Sequence, residues 1–139
     1  SLHFLLVSFM AVNAVQAQVL IATVGDSITQ GYPYFRSSGN GCTNCGGYQP
    51  RLEALLDVNE WSQSTVLNFG IGGETSIGGA TRILDIIGSV DPRIVLYMEG
   101  TNDLWYVSTG TVVDRVRLAI HNIVAAGKTP VIGTLLPDT

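Results

Sequence analysis

Val19-Leu20-Ile21-Ala22-Thr23-Val24 runs directly into Gly25-Asp26-Ser27-Ile28-Thr29. A short apolar run closed by a glycine reads as a strand buried on both faces, the kind found in parallel sheets. The same pattern recurs outward from it. Thr65 to Phe69 reads as a second strand, Arg93 to Met98 as a third and Pro130 to Leu135 as a fourth. The stretches between them carry helical spacing. Tyr48 to Leu56 has apolar residues at 48, 52, 55 and 56, and Ile77 to Ile87 places Ile83, Leu84 and Ile87 on one face. Val112 to Ala126 aligns Val113, Val116, Ile120, Ile123 and Val124. Asp91-Pro92 is a helix stop before the third strand. Strands alternating with helices imply right-handed crossovers and an α/β fold, a parallel sheet in the order 2-1-3-4 with helices on both faces.

The bulk numbers fit one such domain. The chain has 139 residues, 46% of them hydrophobic and 13% charged, which suits a packed core and excludes disorder. Its net charge is -4 and its pI about 4.8, so it lacks the basic footprint of a nucleic-acid binder. No stretch downstream of residue 20 is long and apolar enough to span a bilayer.

Both ends are expected to be unusual. Leu2 to Val15 is almost wholly apolar and is followed by Val15-Gln16-Ala17, a small-residue cleavage pattern. Residues 1–17 are therefore expected to be an export signal and 18–139 the domain, giving a periplasmic or extracellular protein. A buried helix or strand and a short membrane anchor are the rival readings. The positive residues usual at the start of such a signal are absent, and the chain begins with Ser1, as a clipped N-terminus would. The chain stops just after the fourth strand, so the sheet is expected to be incomplete there.

Cys42 and Cys45 form a Cys-x-x-Cys pair in the Gly/Ser/Asn-rich loop from Arg36 to Gly47. For an exported protein a short-loop disulfide is the first reading. Two cysteines cannot complete a tetrahedral zinc site, and the loop is the wrong place for a redox motif at a helix start.

Chemistry concentrates where the strands end. Ligands of parallel sheets collect outside the carboxyl ends of the strands. Gly25-Asp26-Ser27-Ile28-Thr29 follows the first strand, Gly70-Ile71-Gly72-Gly73-Glu74-Thr75 the second, and Glu99-Gly100-Thr101-Asn102-Asp103 the third. One edge thus receives a hydroxyl, a glycine-rich backbone and an amide, the inventory of an acyl-transfer site. Each piece has a plain structural reading: Ser27 as a helix cap, the glycines as turn residues, Asn102 as a loop brace. Gly70 and Gly72 also fit the first two positions of a dinucleotide fingerprint, but Thr75 stands where the third glycine belongs.

With these three blocks in order, the sequence over residues 19–139 resembles the GDSL or SGNH esterases and lipases. Gly25-Asp26-Ser27-Ile28 is similar to the block that holds the family's nucleophilic serine. Asn68-Phe69-Gly70-Ile71-Gly72-Gly73-Glu74-Thr75 and Gly100-Thr101-Asn102-Asp103 resemble the second and third, and Gly47-Tyr48-Gln49 with Leu52 looks like the helix start after the first long loop. The resemblance implies a flavodoxin-like three-layer α/β/α sandwich and an ester hydrolase with Ser27 as nucleophile. It implies an oxyanion hole made of the Ser27 and Gly73 N–H groups and the Asn102 amide. It implies no metal and no organic cofactor, and a small-molecule, carbohydrate or lipid ester as substrate. The family's closing Asp-x-x-His, which supplies the base, does not occur in this sequence; Asp138 opens no complete motif. His3 falls in the export segment. His121 shares a helical face with Asp114 and Arg117 and reads as a solvated residue. The general base is expected beyond Thr139. A flavodoxin-like nucleotide or phosphate binder and a non-catalytic carbohydrate-binding relative remain the alternatives.

If the Cys42–Cys45 reading is right, free-thiol titration of the exported protein under denaturing conditions finds no reactive thiol; two titratable thiols would overturn it.

Overall fold

The structure, a computed structural model, describes residues 18–32, 47–59 and 64–134. The export-type segment 1–17, the Cys42–Cys45 pair, Leu135 at the end of the fourth expected strand and Asp138 lie outside the described residues. The elements are β1 (Val19–Gly25), α1 (Ser27–Gln30), α2 (Gln49–Asp57), β2 (Ser64–Gly70), α3 (Ser76–Val90), β3 (Ile94–Met98), α4 (Thr109–Ala125) and β4 (Thr129–Ile132), with a 3-10 turn at Thr101–Asp103. All strand pairs are parallel and the order is β2-β1-β3-β4, as the sequence led us to expect.

Alternation along the strands builds two cores. Ala22 and Val24 of β1 and Val95 and Tyr97 of β3 pack with Ala80, Ile83, Ile86 and Ile87 of α3 and Ala119 and Ile123 of α4. On the opposite face Val19 and Ile21 of β1 and Val66 of β2 pack against Leu52 and Leu56 of α2. The result is the expected three-layer α/β/α arrangement.

Two helical faces differ from the sequence reading. Leu84 is 50% exposed, and the buried face of α3 is Ala80, Ile83, Ile86 and Ile87. In α4, Val113 and Val124 are exposed, while Val112, Ala119 and Ile123 are buried. A period of 3.6 fixes the spacing of an apolar stripe but not which of its margins meets the sheet. Here α3 and α4 pack against each other as well as on the sheet, and the small residues Ala80 and Ala119 are buried in the cluster they share. β4, at the sheet edge, leaves Val131 and Ile132 exposed.

Local chemistry sets the ends. Asp91 closes α3 in the left-handed conformation, with φ 48°, and pairs with Lys128 at 2.5 Å. The Ser108 hydroxyl caps α4 by accepting from the Thr111 N–H at 3.2 Å. The fully buried Tyr97 hydroxyl donates to the Ser76 carbonyl at 2.8 Å, tying β3 to the start of α3. Because every strand points the same way, the segments after β1, β2 and β3 emerge at one edge.

The α3 correction gives a direct test with adjacent residues. Ile83→Ala should cost about 2–5 kcal/mol of stability by leaving a cavity, whereas Leu84→Ala should cost less than about 1 kcal/mol. Urea denaturation of the two variants beside the parent measures both, and equal losses would contradict the packing.

Candidate active site

Asp26, 2% exposed, caps α1: its Oδ1 accepts from the Ile28 N–H at 2.9 Å. The capping role that Ser27 could have filled is therefore taken. Ser27 is the first residue of α1, half-buried, and among the described residues nothing hydrogen-bonds its hydroxyl. The turn that carries it is pinned by Gln49, which is 1% exposed and donates to the Thr29 carbonyl at 2.8 Å and the Thr23 hydroxyl at 2.9 Å. It is also closely packed. A Cβ on Gly25 would stand 2.1 Å from Thr29 Oγ1 and 2.5 Å from the Met98 carbonyl oxygen, and one on Gly70 2.1 Å from the Gln30 nitrogen.

The second block meets this turn directly. The Ile71 N–H donates to the Gly25 carbonyl at 2.9 Å and carries the β1–β2 pairing past the strand ends. A Cβ on Gly72 would lie 3.9 Å from Ser27 Cβ, so this backbone borders the candidate nucleophile. Gly73 has φ 78°, a conformation that favours glycine, and the space where its Cβ would stand is open to 4 Å. Glu74 follows it, with its carboxylate held in a fork by Arg82: Nε at 2.7 Å and Nη2 on the other oxygen. Arg82 Nη2 also donates to the Phe69 carbonyl at 2.6 Å.

The third block closes on the second. Asn102 Nδ2 donates to the Glu74 carbonyl at 2.8 Å. An amide has two N–H bonds, so this contact fixes the group and leaves it a second donor. Asp103, 1% exposed, accepts from the Ser76 N–H at 2.7 Å, the Ser76 hydroxyl at 2.8 Å and Arg115 at 2.6 Å. Asp26 and Asp103 thus fix backbone turns. Asp103 also bears on the phosphate-binding alternative, since the N-terminus of α3 already holds a carboxylate and a second anion there would be repelled.

The structure therefore brings Ser27, the Gly72–Glu74 turn and Asn102 to one edge, and it does not bring His121 there. His121 is exposed near the C-terminal end of α4. That helix starts at the carboxyl edge of the sheet and ends at the opposite edge, where β4 begins. Among the described residues no group of three or more His, Cys, Asp or Glu is arranged to hold a metal, and no helix is long and apolar enough to cross a membrane.

Two participants were missed by sequence reasoning. Arg82 carries no local signal, because it lies eight residues from Glu74 and in a different element. Glu99 had one: it is a lone acidic residue at the end of an apolar strand. It is 4% exposed and no donor reaches either carboxyl oxygen. Burial first, then the neighbouring Glu74 carboxylate and the charge of Asp26, push its pKa up to about 10, with Arg82 working the other way. Burial thus biases Glu99 toward its neutral form.

The esterase AlinE4, described as an SGNH-hydrolase family esterase, superposes with a TM-score of 0.71 at 20% identity, covering 86% of this chain and 60% of its own. TesA gives 0.68 at 24% identity, covering 85% of this chain and 62% of its own. The psychrotrophic esterase EstA from Pseudoalteromonas sp. gives 0.64 at 22%, covering 81% and 57%. At such identities the likeness is one of fold, and the chain spans about 60% of the length of AlinE4. No curated protein matches the sequence. The family described as GDSL-like Lipase/Acylhydrolase matches residues 23–139. With the fold and the family match in agreement, this chain belongs to the GDSL-like lipase/acylhydrolase family.

Proposed function

We propose that the protein is a serine ester hydrolase in which Ser27 is the nucleophile. One observation carries the reading: the Ser27 turn borders Gly72, while Asn102 is bound to the residue after Gly73. Ser27 Oγ attacks the ester carbonyl, and the carbonyl oxygen takes the developing negative charge. The Ser27 N–H, the Gly73 N–H and the second N–H of Asn102 are the donors for that oxyanion. Donors fixed before the reaction cost nothing to reorganise, and each is typically worth ~3 kcal/mol in the transition state. The tetrahedral intermediate collapses with cleavage of the ester C–O bond, the alcohol leaves with the proton taken from Ser27, and water then releases the acyl group as the acid. No metal or cofactor enters the scheme.

The base that takes the Ser27 proton is, in this reading, the histidine of the family's Asp-x-x-His, a motif this sequence does not supply. The substrate is a small-molecule, carbohydrate or lipid ester. Export belongs to the same reading, on the strength of the apolar run Leu2 to Val15.

A serine hydroxyl without a base is a poor nucleophile at neutral pH, and the members of such a site act as a unit. The 139-residue chain should therefore hydrolyse p-nitrophenyl acetate hardly faster than its Ser27→Ala variant. In the protein expressed from its complete gene, hydrolysis should depend on Ser27, and Asn102→Ala should lower kcat roughly a hundredfold. Fast, Ser27-dependent turnover by the 139-residue chain would mean that a base is already present, and would return His121 to consideration.

A further inference from the structure

Gly73 has a weakness as an oxyanion donor. Glycine is the residue least able to hold its own backbone direction, so something else must fix its N–H. The neighbouring residue is tied at two places. The Glu74 carboxylate takes the Arg82 fork, and the Glu74 carbonyl accepts from Asn102 at 2.8 Å. The fork is bidentate, the strongest geometry for such a pair. It is also shielded, with side-chain exposures of 20% for Arg82 and 9% for Glu74. Through Arg82 the turn is anchored both to α3 and, via the Phe69 carbonyl, to the end of β2.

We propose that Glu74 is the positioning residue of this site: tied to Arg82 and Asn102, it removes the freedom Gly73 would otherwise keep and holds the Gly73 N–H and the Asn102 amide in one fixed relation. This rests on the reading of Ser27, Gly73 and Asn102 given above. Glu74 touches no reacting atom; it acts through the two donors beside it.

Glu99 is a second buried carboxyl group at this edge. It lies over Gly79, where an added Cβ would come within 3.1 Å of Glu99 Cγ. The charged and titratable groups that bear on it are Glu74, Asp26 and Arg82, and Tyr97 ends the same strand face. Ionised, Glu99 would be a buried charge with no donor to either oxygen. Its folded pKa lies above that of an unfolded glutamate, so the native chain keeps a proton that the unfolded chain releases. Its contribution to stability is therefore complete at acid pH and is lost as pH rises toward about 10.

The test is kinetic, on the protein expressed from its complete gene, with active sites counted by stoichiometric phosphonate labelling of Ser27 so that unfolded molecules drop out. Glu74→Ala and Arg82→Ala should each lower kcat per labelled site about 10- to 100-fold with KM little changed. The double variant should be no worse than either single one, because both remove the same tie. Glu74→Gln, which still accepts from Arg82 Nε, should recover part of the loss. Rates per site within about twofold of the parent, or losses that multiply in the double variant, would overturn the proposal. Asn102→Ala in the same series separates the two readings: a loss there with none at Glu74 rejects the positioning role and leaves the hydrolase standing, while parental hydrolysis per mole of protein in Ser27→Ala rejects both. Where Glu74→Ala does not fold, Arg82→Lys, which keeps the charge and loses the fork, carries the same comparison. For Glu99, thermal unfolding of Glu99→Gln against the parent should show a stability advantage that widens from about pH 5 to about pH 9. A gap constant across that range would contradict the raised pKa of Glu99.

Discussion

The whole edge depends on backbones approaching more closely than side chains allow. Gly25 and Gly70 end the paired strands β1 and β2, and at both positions a Cβ would land about 2.1 Å from the α1 segment. Only because these two positions are bare can α1 sit down on the sheet and deliver Ser27 beside Gly72. The Ile71–Gly25 hydrogen bond then continues the pairing beyond the strands, so the Ser27 turn and the glycine-rich turn leave the sheet as one joined unit. The apolar cores on the two faces supply the free energy that holds this arrangement, but they would tolerate many substitutions of similar volume. The close approach at the edge would not.

Around that edge the polar groups are arranged by burial. Asp26, Asp103 and Gln49 are almost fully enclosed, and each satisfies backbone N–H, carbonyl or hydroxyl groups on a neighbouring turn. A buried polar group costs stability unless it is hydrogen-bonded, and once bonded it admits few alternative geometries. These residues thus trade stability for definition. Glu99 shows the other solution, a carboxyl group that burial, with no donor to offset it, biases toward its neutral form.

Much of this was legible from the residues alone. Apolar runs ending in glycine marked the strands, and their alternation with helical stretches gave the parallel order. Three blocks at three strand ends placed Ser27, the Gly72–Glu74 turn and Asn102 at one edge, and the resemblance to a known family is the source of the roles proposed for them. The packing margins of α3 and α4 were not legible, because Leu84 and Val113 belong to stripes broader than the surfaces they meet. Asp26 as cap in place of Ser27 was within reach, since aspartate before a helix is a strong capping residue. The Glu74–Arg82 tie was not, because it joins a turn to a helix across the fold and follows no sequence periodicity.

The glycines of the second block are constrained in opposite ways, and they should drift differently under mutation. At Gly70 the limit is room, which no L-residue can supply. At Gly73 the limit is torsion alone: the backbone sits at φ 78° with open space where a side chain would stand. Asparagine and aspartate adopt that region more readily than other residues with a side chain. Position 73 therefore has a passable evolutionary route out of glycine, through asparagine, along which the direction of its N–H survives; position 70 has none.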